Sequence, residues 1–219
     1  MLRLLLQIAA WPFPWILRRQ VFAWMGFRIH KTAYIGRALI AAGEVSIGEG
    51  CVVGDLTVVR GLQLLQMDHC SRIGRRNWIV ACPTHHGTDI DGKPRSVLHL
   101  MQHSAITIGH LIDANARVTI GEFSTIAGYG SQLLTHSIDI RENVQSARPI
   151  CIGKYSFVGT RSVILGGAEL PSFSVLGAGA LLNKPFDKSY KVYGGVPAVV
   201  VSELPKECKY FNRDSGFVR

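Results

Sequence analysis

A six-residue spacing of apolar side chains runs through most of the chain. Starting at Ile29, every sixth residue as far as Val59 is apolar, and the spacing resumes in three later runs. The eighteen positions predicted to point inward are Ile29, Ile35, Ala41, Ile47, Val53, Val59, Ile73, Ile79, Ile108, Ala114, Ile120, Ile126, Gln132, Ile152, Val158, Ile164, Leu170 and Leu176. Only Gln132 among them is polar.

This spacing predicts short strands joined by corners. Residues two apart in a strand share a face, so each hexad places one aliphatic and one smaller side chain inward. Gly, Asp and Glu recur where the chain must change direction, as in "IGEGCV" and "VGDLTV". An α-helix has a period of 3.6 and cannot produce this pattern. We therefore predict an all-β solenoid of about six triangular coils, each of roughly 18 residues, stacked at the ~4.8 Å strand spacing.

Interruptions of the frame predict the organisation of the chain. We expect loops at 65–72, 84–107 and 137–149, since binding residues often gather in such excursions. The β-helix domain is predicted to cover residues 29–183. Residues 184–219 break the period and form an extended C-terminal tail.

Residues 1–28 are very apolar, and two interpretations stay open for them. Pro12, Pro14 and the Arg18–Arg19 pair interrupt the run, so no span reaches the ~20 residues of a transmembrane helix. The segment forms either a helical cap on one end of the domain or a membrane-interface segment. In the second case residues 1–27 place Trp and Leu in the bilayer and Arg near lipid phosphates.

Composition narrows the class of protein and its location. The chain has 219 residues, 47% apolar and 18% charged, which favours a packed globular protein. Its net charge of +9 suggests an anionic partner, although no nucleic-acid-binding motif is present and we expect none to be bound. Five scattered cysteines without a CxxC motif indicate free thiols in a reducing compartment. We expect a cytoplasmic protein, at the inner face of the membrane if the N-terminal segment binds lipid.

Over residues 29–200 the hexads resemble those of the hexapeptide-repeat acyltransferases. The segments "TIAGYGSQLLTHSID", "PICIGKYSFVGTRSVILGGAELPSFSVLGAGALLNK" and "YGGVPA" resemble sugar O-acetyltransferases of surface-polysaccharide biosynthesis. The resemblance implies a left-handed parallel β-helix, a homotrimer and acetyl-CoA as the acyl donor. The chain departs from many relatives at Phe157, where they have Trp, and at Ser137, where they have Asp or Pro.

His136 is the leading candidate for catalysis, because the resemblance places the catalytic histidine of the family there. A histidine with a pKa near 6.5 can act as a general base on an acceptor hydroxyl at neutral pH. Gln132, predicted to point inward nearby, marks a break in the apolar rule of the kind found at functional sites. Asp139 is a candidate for fixing the tautomer of the imidazole. The alternative is that His136 only packs at the edge of a loop.

The sequence gives weaker signals for the residues that contact the acyl donor and the acceptor. The resemblance implies that coenzyme A lies along an edge of the prism, against small residues and lysines that meet its phosphates. The candidates are Gly159, Thr160, Gly177, Ala178, Lys184 and Lys191. Acceptor contacts are expected from Asn77, Trp78, His85, His86, Tyr129 and Gln132. Each lysine could equally be a solvated surface charge, and Trp78 an exposed corner residue.

Four functions are compared on these residues. The first is O-acetylation of a sugar, either a polysaccharide precursor or a lipid-linked saccharide. The second is acetyl transfer to an amino sugar or serine on the same scaffold. The third is a zinc protein like the γ-carbonic anhydrases, which is disfavoured because the required histidine pair is absent around His110 and His136, so no metal is expected. The fourth, a purely structural solenoid, is disfavoured by His136 itself.

Overall fold

The computed structural model describes residues 2–83, 87–89, 91–216 and 218. Two short helices open the chain, and three sheets of mostly parallel strands follow. Along the chain, successive strands belong to the first, second and third sheet in turn, apart from one antiparallel hairpin and the C-terminal strands. This is the arrangement that the hexad spacing predicts.

The first sheet has seven parallel strands. They are β1 (Arg28–Ile29), β4 (Glu44–Ile47), β7 (Leu64–Met67), β10 (Val97–Leu100), β13 (Val118–Ile120), β18 (Ile150–Ile152) and β21 (Glu169–Leu170).

The second sheet has nine strands, of which only the last is antiparallel to its neighbour. They are β2 (Tyr34–Ile35), β5 (Val52–Val53), β8 (Arg72–Ile73), β11 (Ala105–Ile106), β14 (Thr125–Ile126), β19 (Phe157–Val158), β22 (Val175–Leu176), β24 (Lys191–Gly194) and β25 (Val199–Glu203).

The third sheet again has seven parallel strands. They are β3 (Leu39–Ala41), β6 (Val58–Arg60), β9 (Trp78–Val80), β12 (Leu111–Asp113), β15 (Gln132–Leu134), β20 (Val163–Leu165) and β23 (Leu181–Leu182). A separate two-stranded antiparallel hairpin consists of β16 (His136–Asp139) and β17 (Val144–Ala147).

The core is a dry aliphatic column between the three sheets. Ile35, Ile73, Ile79, Ile126 and Ile164 are fully buried in it, as the hexad spacing predicts. Burying such a side chain contributes about 1.5–3 kcal/mol, so the column is the main source of stability.

The predicted frame is wrong at several positions. Ile108 is 42% exposed, Ala41 is only partly buried, and Gln132 points outward while Leu133 is buried. The prediction that Gln132 points inward and breaks the apolar rule is therefore wrong. Ile112 and Leu133 occupy the inward positions instead.

The frame slips because the coils differ in length. Ile35 pairs with Val53, 18 positions on, whereas Val53 pairs with Ile73, 20 positions on. In the central coils each strand of the first sheet buries two residues rather than one, such as Leu65 and Met67. A count that assumes one fixed period misses these two extra residues.

The same effect corrects the predicted loops. Residues 65–72 are not a loop, because β7 occupies their beginning and β8 starts at Arg72. The excursion expected at 84–107 is shorter, since β10 and β11 lie inside that range. The third excursion is present, but it contains the β16–β17 hairpin.

The N-terminal helices pack on the first strands of the three sheets. Helix α1 spans Leu2–Ala10 and α2 spans Trp15–Trp24. The buried Gln7 amide donates to the Ile40 carbonyl at 2.8 Å and accepts from its N–H at 2.8 Å. Arg18 donates to the Gly36 carbonyl at 2.8 Å. The two helices are thus held against the first strands by hydrogen bonds, and neither of these helices combines the length and apolarity needed to cross a bilayer.

The C-terminal residues turn back along one corner of the prism. A ladder of stacked rings lines this corner, with centroids 4.6 Å apart for Phe123 and Tyr155 and 5.1 Å apart for Phe173 and Tyr190. A 3₁₀ helix at Lys209–Asn212 packs Phe211 edge-on against the ladder. The tail is thus ordered by aromatic contacts, worth about 0.5–1.5 kcal/mol each.

Candidate active site

The site lies where two neighbouring strands of the third sheet end. Strands β12 and β15 pair in parallel, with Asp113 opposite Leu134. Thr135 and His136 follow directly, and the chain then leaves the sheet as the β16–β17 hairpin. The register therefore brings Asp113 beneath the base of the hairpin, although 23 residues separate it from His136 in sequence.

The carboxylate of Asp113 is buried and fully engaged. The residue is 7% exposed, and Oδ1 accepts three hydrogen bonds. The donors are the Asn115 backbone N–H at 3.0 Å, the Asn115 Nδ2 at 2.8 Å and the Thr135 hydroxyl at 3.0 Å. A buried carboxylate needs such partners to offset its lost hydration. The three donors hold the carboxylate plane in one orientation.

The other oxygen of Asp113 meets His136. Oδ2 contacts Nδ1 of the imidazole, and Asn115 Nδ2 lies 3.3 Å from the same nitrogen. Because a carboxylate only accepts, Nδ1 carries the hydrogen of this contact. The neutral ring therefore keeps its basic lone pair on Nε2. The side chain is 39% exposed, so a solvent-borne substrate can reach the ring.

Two further contacts brace this dyad. The Asn115 Oδ1 accepts the Cys82 backbone N–H at 2.6 Å, and the Thr135 hydroxyl oxygen accepts the Ala116 N–H at 3.0 Å. Asn115 and Thr135 thus each bond to Asp113 and to backbone. Supporting hydrogen bonds of this kind keep a catalytic side chain in one rotamer.

The corner before the site contains one extra residue. Ile106 and Ile112 are six apart, whereas the next equivalent pair, Ile126 and Leu133, is seven apart. Gly128 takes φ of +69°, and a Cβ there would lie 2.5 Å from the Thr160 Cβ. Only glycine fits this corner. The insertion explains why Gln132 points outward.

His110, beneath the same corner, is a buried neutral histidine. It is 1% exposed, Nδ1 accepts the Ser131 N–H at 3.2 Å, and Nε2 lies 3.0 Å from the Thr107 hydroxyl. Burial lowers its pKa from 6.5 to about 4. The Ser131 contact requires a lone pair on Nδ1, so Nε2–H donates to Thr107. His110 is a structural support for the corner.

Asp139 does not contact the imidazole. Its Oδ1 accepts the backbone N–H groups of Arg141 at 2.9 Å and Glu142 at 3.3 Å, which closes the turn of the hairpin. Residues three apart on a strand point to opposite faces, so Asp139 is turned away from His136. The expected tautomer contact is made by Asp113 instead.

The candidate acceptor residues are dispersed. Asn77 is 1% exposed and cross-links two neighbouring coils: its Nδ2 donates to the Thr107 carbonyl at 2.8 Å and its Oδ1 accepts the His110 N–H at 2.9 Å. It cannot contact a sugar, and this prediction is wrong. Trp78, Tyr129 and Gln132 are exposed. His85 and His86 lie outside the described residues.

Four of the candidate coenzyme A residues lie on one edge: Gly159, Thr160, Gly177 and Ala178. Gly159 stacks against the backbone of Ala178, where a Cβ would lie 2.5 Å from the Ala178 nitrogen. Thr160 donates to the Tyr129 carbonyl at 2.8 Å. Gly177 lies on the same edge, one coil above Gly159.

The two candidate lysines have partners of their own. Lys184 Nζ lies 5.4 Å from the Phe186 ring centroid. Lys191 forms an ion pair with Glu203, so its charge is already balanced. Within the described parts of the chain, no group of three His, Cys, Asp or Glu side chains could hold a metal ion.

Solved structures that resemble the chain include acyltransferases, as the family resemblance of its hexads implies. AntD, an N-acyltransferase from Bacillus cereus solved with dTDP and 3-hydroxybutyryl-CoA, aligns over 89% of this chain and 92% of its own, with 11% identity and a TM-score of 0.57. At that identity the likeness establishes the fold.

Two other structures are weaker matches. A hexapeptide-repeat acetyltransferase of Vibrio cholerae O1 biovar eltor, solved with acetyl-CoA, is 26% identical over 60% of this chain and 70% of its own, with a TM-score of 0.46. The polysialic acid O-acetyltransferase OatWY is 18% identical over 81% of this chain and 84% of its own, also with a TM-score of 0.46. No protein-family model matches the chain, and no curated protein does.

Proposed function

We propose that the chain is an O-acetyltransferase that moves an acetyl group from acetyl-CoA to a sugar hydroxyl, with His136 as general base. The observation that carries this proposal is the Asp113–His136 contact at the rim of the prism. The acceptor in this proposal is a polysaccharide precursor or a lipid-linked saccharide. The resemblance to acyltransferases of the same fold supports the reaction class.

The dyad provides the proton transfers that the reaction needs. Nε2 of His136 takes the hydroxyl proton as the acceptor oxygen attacks the thioester carbonyl. The imidazolium that forms is stabilised by the Asp113 carboxylate on Nδ1. When the tetrahedral intermediate collapses, the carbon–sulfur bond breaks and the imidazolium returns the proton to the departing thiolate. A base of this kind contributes roughly 10²–10⁴-fold in rate.

A hydroxyl acceptor is favoured over an amine by what the base must accomplish. A sugar hydroxyl is a weak nucleophile until a base removes its proton, whereas a neutral amine attacks with its lone pair and loses its proton afterwards, so the histidine gives its largest benefit with a hydroxyl. An amino sugar or serine is the alternative acceptor. AntD, named as an N-acyltransferase, has the same fold.

The donor is proposed to lie along the edge that carries Gly159, Thr160, Gly177 and Ala178. Their small side chains leave the edge narrow, and a Cβ built on the adjacent Gly179 meets nothing within 4 Å. That open space fits a thin pantetheine arm. Lys184 is the candidate for a phosphate contact, whereas Lys191 would have to leave Glu203 first.

We further propose a left-handed solenoid that assembles as a homotrimer. The seven strands of the first and third sheets correspond to seven turns, one more than the hexad count gives. An apolar row crosses the outside of the third sheet: Leu39, Val58, Trp78, Leu111, Val163 and Leu181, with Gln132 the one polar member. Trp78 is 51% exposed in the single chain. Covering this row by a second copy would bury it next to Asp113.

The N-terminal helices are proposed to touch the inner face of the cytoplasmic membrane. Residues 1–43 contain six basic and no acidic side chains: Arg3, Arg18, Arg19, Arg28, Lys31 and Arg37. Exposed apolar side chains lie on these helices and on the turn between them: Leu2, Leu5, Leu6, Phe13, Ile16, Leu17 and Trp24. They surround an apolar cavity of about 300 Å³ lined by Leu6, Phe13, Leu17 and their neighbours. An apolar surface with basic charges is the pattern of peripheral attachment to anionic lipid.

The function is tested by incubating the protein with acetyl-CoA and a panel of sugars, nucleotide sugars and amino acids while following release of the coenzyme A thiol. Acceptor-dependent release supports the proposal, and its loss in His136→Ala assigns the base. Release that needs an amine acceptor would favour the alternative. No release with any acceptor, lipid-linked saccharides included, would contradict the proposal.

A further inference from the structure

A cavity of about 330 Å³ lies beside the β16–β17 hairpin. It is lined by Asp89, Arg95, Ala116, Arg117, Ala147 and Pro149. The excursion after β9 supplies Asp89 and Arg95, the start of the next coil supplies Ala116 and Arg117, and the end of the hairpin supplies Ala147. Its volume falls in the range of small-ligand sites, roughly 300–1,000 Å³, and is sufficient for one or two sugar units.

Strand register connects this cavity to the candidate base. Ala147 is the partner of His136 across the antiparallel hairpin. Residues directly opposite in such a pair project to the same face of the ribbon, so the imidazole and the Ala147 wall of the cavity share a face. A second connection runs through Ala116, which lines the cavity: its N–H donates to Thr135 Oγ1 at 3.0 Å, and the Thr135 hydroxyl donates to Asp113. A ligand in the cavity would therefore lie beside the dyad.

The walls of the cavity carry an excess of positive charge. Two guanidinium groups, Arg95 and Arg117, face one carboxylate, Asp89. Oδ1 of Asp89 is occupied by the N–H groups of Asp91 at 3.0 Å and Lys93 at 2.9 Å. Arg117 donates to the Pro94 carbonyl at 3.2 Å, which fixes its side chain at the wall while a guanidinium has further N–H groups to offer.

We propose that this cavity is the acceptor subsite and that it selects sugars bearing a carboxylate or a phosphate. Arg95 and Arg117 bind the anionic group, and one hydroxyl of the same sugar is thereby directed to His136. The inference rests on the proposed acetyltransferase function and adds the chemical class of the acceptor. Guanidinium groups suit this task because their planar N–H pairs match the oxygen pairs of carboxylate and phosphate.

Binding is measured separately from turnover. The probes are glucuronic acid, glucose 1-phosphate and glucose, titrated into the full-length protein and followed by saturation-transfer NMR. We expect the two acidic sugars to bind at least about tenfold more tightly than glucose, the size of one charge-assisted hydrogen bond. Arg117→Gln and Arg95→Gln should remove this preference. The matched control is Lys31→Gln, which loses one charge at an exposed site on the first coil and should keep it.

The outcomes separate this inference from the proposed function. Equal binding of acidic and neutral sugars, no binding of any of them, or a preference that survives both arginine substitutions would overturn the acidic subsite. Acetyl transfer to a neutral sugar under the same conditions would leave the proposed function standing. Arginine-dependent binding of acidic sugars without any use of acetyl-CoA would support the subsite and contradict the acetyltransferase.

In the enzyme assay, Arg117→Gln should raise the KM for an acidic acceptor at least about tenfold and change kcat little, because the contact forms in the ground state as well as in the transition state. An unchanged KM would count against the subsite.

Discussion

The Asp113 carboxylate and the His136 imidazole meet across two neighbouring coils, although 23 residues separate them in sequence. Asp113 ends β12 and His136 begins β16, so the pairing of β12 with β15 sets their separation. Because Oδ1 of the carboxylate is held by Asn115 and Thr135, Oδ2 has one orientation toward the ring. The coil register, rather than a local motif, therefore builds the candidate catalytic pair.

Replacing Asp113 tests its role as the positioning residue. We expect Asp113→Asn to lower kcat/KM at least about 100-fold, because an amide nitrogen in place of Oδ2 would favour the wrong tautomer of His136. Rates are measured by release of the coenzyme A thiol.

Asp139→Asn is the matched control, since Asp139 closes the hairpin turn and does not contact the imidazole. It should retain activity within about twofold, because the amide oxygen of Asn can accept the same backbone N–H groups. A loss equal to that of Asp113→Asn would move the positioning role to Asp139.

Because His110 is buried, we expect the stability of the folded protein to depend on pH in a specific way. Burial lowers its pKa to about 4, below the ordinary 6.5. Between these values the unfolded chain binds a proton that the folded protein does not, so stability falls as the pH drops through this window, by up to roughly 3 kcal/mol from this group. Urea unfolding of wild type and His110→Gln between pH 7 and pH 4.5 measures the effect.

The His110→Gln variant should lose less stability than wild type over that interval, because glutamine does not titrate there. His30→Gln, at a half-buried site on the first coil, serves as control and should follow wild type. Parallel curves for wild type and His110→Gln would show that folding does not lower the pKa of His110.

A charge on the apolar row of the third sheet should disrupt assembly. Trp78→Glu places a carboxylate in the centre of the proposed interface, where burying it without a partner costs several kcal/mol. We expect a trimer for wild type and a monomer for Trp78→Glu by sedimentation velocity. Ser46→Glu, on the polar outer row of the first sheet, should remain trimeric. A monomeric wild type would remove the proposed interface.

Attachment to anionic lipid should depend on the exposed apolar side chains of the helices. The triple variant Leu5→Gln, Phe13→Gln, Ile16→Gln should lose at least about tenfold in partitioning to phosphatidylglycerol vesicles, because each exposed apolar group buried in lipid contributes on the order of 1 kcal/mol or more. Ile140→Gln, at an even more exposed apolar side chain in the turn of the hairpin, is the control. Co-sedimentation that is equal for all three proteins would exclude this surface.

The sequence predicts the repeated part of the fold well and its exceptions poorly. Fully buried Ile35, Ile73 and Ile164 follow from periodicity, because a dry column admits only apolar side chains. The prediction that Gln132 points inward is wrong, because one extra residue at the Gly128–Gly130 corner shifts the frame. Nothing in the local sequence marks that residue as extra. Coils of 18 and 20 residues cannot be told apart by counting sixes alone.

The candidate site likewise has one residue that the sequence predicts and one that it does not. His136 is predictable from the resemblance of its segment and from its chemistry. Asp113 is not predictable in this way, because its proximity to His136 depends on the pairing of β12 with β15, and the six-residue count does not give that register correctly. The one available signal is the polar pair Asp113 and Asn115 directly after the buried Ile112. Asn77 shows the opposite error, because a residue predicted to contact the acceptor has a structural role. It is next to Trp78 in sequence, but its side chain is a buried cross-link between coils.

The most direct test of His136 as the base is the acetyl-transfer rate of His136→Ala, measured with acetyl-CoA and the acceptor that gives wild type its highest turnover. Circular dichroism of the variant should match wild type, because the side chain lies at the exposed rim and outside the aliphatic core. We predict a kcat at least about 100-fold below wild type. A folded His136→Ala that transfers acetyl at the wild-type rate would contradict the assignment of His136 as the base.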